Sequence, residues 1–124
     1  MSCGCSCGNN EGVTIAYACS GAANTGYLSD QVARKLAADS VCRMTCLAAV
    51  AADLQNYADA AKSADKNIIL DGYSVACGKK IFEARNLPFD HYILTEFGVE
   101  KGVTKITSDV INRVADEVKR KISC

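Results

Sequence analysis

The sequence has no excess of charge of either sign: fourteen Lys and Arg cancel fourteen Asp and Glu, and no strongly basic stretch stands out. Nucleic acid is therefore disfavoured as a main partner. The longest apolar runs fall far short of a membrane span, so no transmembrane helix is expected. No charged segment followed by an apolar one opens the sequence, which argues against a secretory signal in the chain as it stands. Histidine and proline each occur once, as His91 and Pro88. No C-x-x-C pair is present, which weakens any reading as a thiol–disulfide enzyme.

What is present is cysteine, eight residues in 124. A secreted disulfide scaffold is the first reading to test, but such scaffolds are shorter, loop-rich and poor in core. This chain is long enough to bury a core without covalent staples and has helical patterns and strands of Ile, Val and Leu. The cysteines are accordingly expected to be reduced and cytoplasmic, and thus metal-binding, redox-active or simply buried.

Residues 1–12 (MSCGCSCGNNEG) have no apolar periodicity and are expected to form a flexible Cys-rich tail on a single α/β domain spanning 13–124. Val13 to Cys19 predicts a first strand, followed by the loop Ser20 to Gly26 and a helix to about Asp39 carrying Leu28, Val32 and Leu36. Val41 to Leu47 predicts a short second strand. Leu47, Val50, Leu54, Tyr57 and Ala61 then mark one helical stripe. Asn67 to Asp71 predicts a fully buried strand, and Cys77, Ile81 and Ala84 share a face of the next helix. After Pro88, His91 to Phe97 predicts a fourth strand. A last helix is capped by Thr107 or Ser108, with Val114, Val118 and Ile122 on its inner face. Four strands alternating with four helices predict a three-layer, Rossmann-like sandwich around a mostly parallel sheet.

In such a sheet every strand-to-helix junction lies on one edge, where ligands bind. Cys19, Cys46 and Cys77 fall at three of these junctions, so residues distant in sequence are expected to meet there. Thiols at helix N-termini suit a soft metal ion or thiol chemistry. Zinc asks for four tetrahedral ligands, and Cys42 is the natural fourth candidate through its C-x3-C spacing with Cys46. Four residues of strand span roughly 13 Å, too far to share one ion, whereas on a helical turn the two would lie about 6 Å apart. Cys42 can thus join only if residues 41–46 are not regular strand; otherwise Asp71, water or a partner's ligand completes the site. Asp71 is also placed to hold the amides of the turn that follows it. His91, near the start of its strand, is expected on the far edge.

The segments CSGAANTG (Cys19 to Gly26), MTCLA (Met44 to Ala48) and DGYSVACGKK (Asp71 to Lys80) resemble, in order, those of the small bacterial and archaeal DGC-domain proteins. The resemblance covers roughly Val13 to Lys101. It implies a zinc site built from cysteines of these segments, with Cys19, Cys46 and Cys77 matching, and Asp71 and Gly72 opening the Asp-Gly-Cys turn that names the family. Tyr73 stands where that turn has its cysteine. A phenol ionises only near about 10 and is a poor zinc ligand at neutral pH, so the four-thiol site implied by the resemblance is incomplete here: either Cys42 substitutes, or this chain binds metal weakly or not at all.

The loop Ser20 to Gly26 lacks the arginine of a phosphatase-type loop and the Lys of a Walker loop, with Tyr27 and Leu28 following Gly26. It remains a Gly-rich turn able to take a small anion at a helix N-terminus. Cys3, Cys5 and Cys7 suit a separate, labile thiophilic ion, and Cys124 is read as incidental. The function these observations support is a small metal-binding protein, zinc preferred, with regulatory or metal-handling duty. The alternative is a thiol-dependent reductase or transferase using Cys19 at the Gly-rich loop.

Overall fold

The computed structural model describes residues 12–123, so the cysteines expected in the tail, and Cys124, lie outside the described residues. The chain forms β1 (Thr14–Ala18), α1 (Asn24–Ala38), β2 (Arg43–Met44), α2 (Leu47–Ala51), α3 (Gln55–Ser63), β3 (Lys66–Asp71), α4 (Cys77–Ala84), β4 (Asp90–Ile93), a 3-10 turn (Leu94–Phe97) and α5 (Ser108–Ser123). The four strands make one parallel sheet in the order β2-β1-β3-β4. The expected α/β architecture is therefore present, with five helices among the described residues where four were anticipated.

The period of two along each strand divides the core. Ala16, Ile68 and Leu70 face α1 and α5 and pack with Leu28, Val32, Leu36, Val114 and Val118. Ile15, Tyr17 and Ile69 face the other way, against Leu47, Val50, Ala61 and Phe82 of α2, α3 and α4. β3 is apolar on both faces because both are covered; Ile68, Ile69 and Leu70 are fully buried, each contributing about 1.5–3 kcal/mol by removal from water. Asn67 breaks that run without penalty. Its amide donates to the carbonyls of Ala61 at 2.9 Å and Pro88 at 3.0 Å, and the Tyr17 hydroxyl donates to its oxygen at 3.4 Å.

Three departures from the sequence expectation have physical causes. The stripe from Leu47 to Ala61 is not one helix, because Asp53 adopts φ 64° and ends α2. Leu54 becomes the N-cap of α3 and is about half exposed. β2 is reduced to two residues that pair with Ile15 and Ala16. β4 stops at Ile93, and a 3-10 turn buries Leu94 and Phe97 before Gly98 reverses the chain at φ 78°. At α5 the expectation holds: the Thr107 hydroxyl accepts the Val110 N–H at 3.3 Å.

Strand order fixes where a ligand can sit. The chain leaves β1 for β2 on one side and leaves β3 for β4 on the other, while β1 and β3 are neighbours. Their loops diverge and open a crevice at the carboxyl edge, the switch point of doubly wound sheets. Cys19 follows β1 directly and Asp71 ends β3.

Candidate thiol site

The two sides of the crevice are drawn together by close backbone packing. Gly72, just after β3, lies so near the first turn of α1 that a Cβ there would stand 2.7 Å from the carbonyl carbon of Thr25 and 2.8 Å from the nitrogen of Gly26. No larger residue fits without displacing backbone. The Ser29 hydroxyl lies 2.8 Å from the carbonyl oxygens of both Cys19 and Gly26, tying the loop to α1. The Cys19 N–H donates to Leu70 at 2.9 Å, extending the β1–β3 pairing to the rim.

Asp71 organises the other half. It is 1 % exposed, and its carboxylate accepts the N–H groups of Gly78 at 2.8 Å and Lys79 at 3.1 Å. These are amides of the first turn of α4, whose N-cap residue Ala76 has no capping side chain. A negative charge is favoured there by the helix dipole. Gly78 permits the approach, since a Cβ at that position would meet Ile69 at 2.7 Å and the Asp71 carboxylate at 2.9 Å. The remaining partner is His91, whose Nε2 stands 2.6 Å from the Asp71 carboxylate. His91 pairs with Ile69 in the register of β4, two residues short of Asp71 and on the same face of the sheet. Placement at the far edge was the expectation; the imidazole reaches along the strand and closes that distance.

Cys77, the first residue of α4, is thereby held over Cys19. The two thiols are close enough to interact electrostatically, and the Gly78 amide lies near the Cys19 sulfur. Burial, first, and then the Asp71 carboxylate and Cys77 push the Cys19 thiol up to about 11, with the Gly78 amide only partly opposing them. Cys77 is exposed and Cys19 half-buried.

Cys46 is exposed at the N-cap of α2. Met44 pairs with Ala16, and the Thr45 N–H donates to the Ala16 carbonyl at 3.1 Å, so Cys46 leaves its strand level with the end of β1. It shares the rim with Cys19 and Cys77. Cys42 does not. The chain through Arg43 and Met44 is extended strand, and Cys42 packs beside Met44 against the α1–α5 core, whereas Cys19 packs against the opposite core. The condition under which C-x3-C spacing brings two thiols together is not met. Burial raises the Cys42 thiol to about 11.

Among the described residues, no group of three or more His, Cys, Asp and Glu stands ready to hold a metal ion. Two of the thiols are together, and the nearby carboxylate is engaged with two amides and an imidazole. Tyr73, which follows Gly72, lies under Lys101, with the Lys101 Nζ 4.5 Å from the ring centroid. Beside it a shallow cavity of about 280 Å³ opens between Ala22–Asn24 and Lys101–Thr104. Asn24 bridges its walls, donating to the Glu100 and Thr104 carbonyls at 3.1 and 2.8 Å and accepting from the Gly102 N–H at 2.6 Å.

A doubly wound α/β domain with paired thiols at its switch point defines the class of protein. Comparison with known families places it further. The chain belongs to the DGC domain family, whose model matches residues 15–118. It is 29 % identical over 93 residues to the anaerobic and virulence modulator AnvM of Pseudomonas aeruginosa, an alignment covering 74 % of this chain and 71 % of that protein. No solved structure matches significantly. No helix among the described residues is long and apolar enough to cross a membrane.

Proposed function

We propose that the protein binds a thiophilic metal ion, zinc, through Cys19 and Cys77 with Cys46 as the third thiol, and that this serves a regulatory or metal-handling role in the cytoplasm. The observation that carries the reading is the pairing of Cys19 and Cys77, from distant segments, beside the buried Asp71 carboxylate. The Cys19 thiol, buried beside a negative charge, resists becoming a free thiolate, and a cation that neutralises the site is accepted there. The donor set fits zinc in part. Closed structural sites use four protein ligands; here Asp71 is committed elsewhere, Cys42 faces the other core and Tyr73 takes the position after Asp-Gly. Three thiols with an open position suit an ion that is exchanged or sensed. Bound zinc would supply Lewis-acid charge at the rim; the chain supplies the thiols and, through Asp71 and His91, a rigid α4 start.

The role follows from two supports. The Pseudomonas aeruginosa relative is by name a modulator. The four described cysteines are free thiols, the state a reducing cytosol maintains. A thiol enzyme using Cys19 is the weaker reading, because nucleophilic cysteines sit in surroundings that lower the thiol pKa, and this one is raised to about 11.

Metal analysis of reduced, tag-free protein tests the proposal. Zinc is expected at about one equivalent, lost in Cys19→Ser and Cys77→Ser, weakened in Cys46→Ser and retained in Cys42→Ser. Less than about a tenth of an equivalent, with the rim variants indistinguishable from the parent protein, overturns it.

A further inference from the structure

We infer that Cys19 and Cys77 form a reversible dithiol–disulfide couple oxidised by hydroperoxides, with Cys77 as the reacting thiol and Cys19 as the resolving one. The couple goes beyond metal binding and stands without it. Three observations carry it: the two residues are neighbours across the rim, Cys19 bonded to Leu70 and Cys77 beside the Gly78 amide that Asp71 holds; they differ in access; and they sit on differently built supports.

Cys77 is exposed on the first turn of α4, open to a small oxidant, while Cys19 is half-buried behind it. Cys19 is fixed to the sheet through its N–H bond to Leu70. Cys77 follows Ala76, whose φ of 56° marks a tight left-handed corner at the end of the Tyr73–Ala76 connection. The bond therefore closes between a sulfur fixed on the strand and one carried on the anchored first turn of α4. The product carries no thiolate for Asp71 to repel.

In the first step the Cys77 sulfur attacks the outer peroxide oxygen. The O–O bond breaks, an alcohol leaves, and Cys77 becomes a sulfenic acid. The Cys19 sulfur then attacks the Cys77 sulfur; the S–S bond forms, the S–O bond breaks and water departs with the thiol proton. Two thiols lose two electrons and two protons, and the hydroperoxide is reduced to alcohol and water. A dithiol reductant returns the pair. Where zinc is bound by these thiols, the new bond removes two of its donors.

The test uses the full chain, reduced and stripped with chelator so that failure of metal binding does not affect it. Arg34 is the first Lys or Arg in the sequence, so a tryptic peptide bearing Cys19 also carries Cys3, Cys5 and Cys7. The experiment is therefore run with those three changed to serine. After tert-butyl hydroperoxide, non-reducing digestion is expected to show Cys19 linked to Cys77, and dithiothreitol to separate them. In Cys19→Ser, a dimedone adduct on Cys77 is expected to rise several-fold. Linkage of Cys77 to Cys46 while Cys19 is present overturns the inference, as do dimedone labelling confined to Cys19 and oxidation of other thiols that leaves this pair free. The linkage map needs no substitution at the pair, so it decides the matter even if Cys19→Ser does not fold.

Discussion

Asp71→Ala isolates the device that holds the site together. The carboxylate accepts two amides of α4 and faces His91, all at 2.6–3.1 Å. A hydrogen bond to a charged group contributes about 1.5–3 kcal/mol, and an orphaned buried donor costs about 1–3 kcal/mol. The Gly78 amide is buried and retains only its approach to Cys19, whereas the Lys79 amide is closer to solvent. A loss of about 3–4 kcal/mol follows, in the range for breaking a buried charged network. Against a total of about 5–15 kcal/mol this is a large share. It corresponds to a fall in Tm of about 10–16 °C for a domain of this size. Asp71→Asn keeps the shape and one acceptor and is expected to lose about half as much. Urea unfolding followed by far-UV circular dichroism measures both variants. A second readout separates charge from packing: Asp71 raises the Cys19 thiol, so Asp71→Asn is expected to speed alkylation of Cys19 at pH 8 while Cys42, on the other face, keeps its rate. A loss below about 1 kcal/mol in Asp71→Ala, or no change in the Cys19 rate, would refute the assignment of Asp71 as the anchor of α4 and the source of the local field.

In the native protein at pH 8, iodoacetamide is expected to modify exposed Cys46 and Cys77 first; at Cys42, a rise from 9.0 to about 11 leaves about a hundredfold less thiolate, so it reacts last. Cys19 and Cys42 are also expected to make the fold sensitive to alkali. Both thiols hold their protons to about 11 when folded and release them near 9.0 when unfolded. Stability is therefore full below pH 9 and declines as pH rises to 11, a slope that thermal scans should show weakened in Cys42→Ala. Gly72→Ala puts a methyl against the Thr25–Gly26 backbone at 2.7–2.8 Å and is expected to cost at least about 1–3 kcal/mol in urea unfolding. A fully stable Gly72→Ala protein with an unchanged thiol pair would contradict the close packing across the crevice.

The sequence carried the fold further than it carried the site, and particular residues show why. Strand periodicity and the run of Ile68, Ile69 and Leu70 are strong local signals, and parallel pairing then sends every strand-to-helix junction to one edge. That logic brought Cys19 and Cys77 together across distant segments. The break between α2 and α3 was not legible, because it rests on one left-handed residue, Asp53, in a segment whose alanines favour helix throughout. Leu54 therefore looked like a member of a buried stripe that the chain in fact interrupts.

Edge membership and shared coordination are set by different physics. Topology decides the edge, but the face on which a thiol lies depends on parity along a strand only two residues long. Cys42 and Met44 share parity and so share the α1–α5 core, which removes Cys42 from the rim whatever its spacing from Cys46. His91 shows the converse error. Its Cα is two pairs behind Asp71, yet same-face parity and the length of an imidazole bring it within 2.6 Å. Strand register bounds the position of an α-carbon, whereas a long polar side chain reaches a further residue or two along the sheet. Short thiols have no such reach. The rim can therefore bring Cys19 and Cys77 near one another because α4 begins over the end of β3, the neighbour of β1, while Cys46, on its own strand end, meets them only by moving its side chain or the start of α2. An ion exchanged at this edge would thus use a fixed pair and one adjustable donor, and the contrast between Cys77→Ser and Cys46→Ser in metal retention is the measure of that difference.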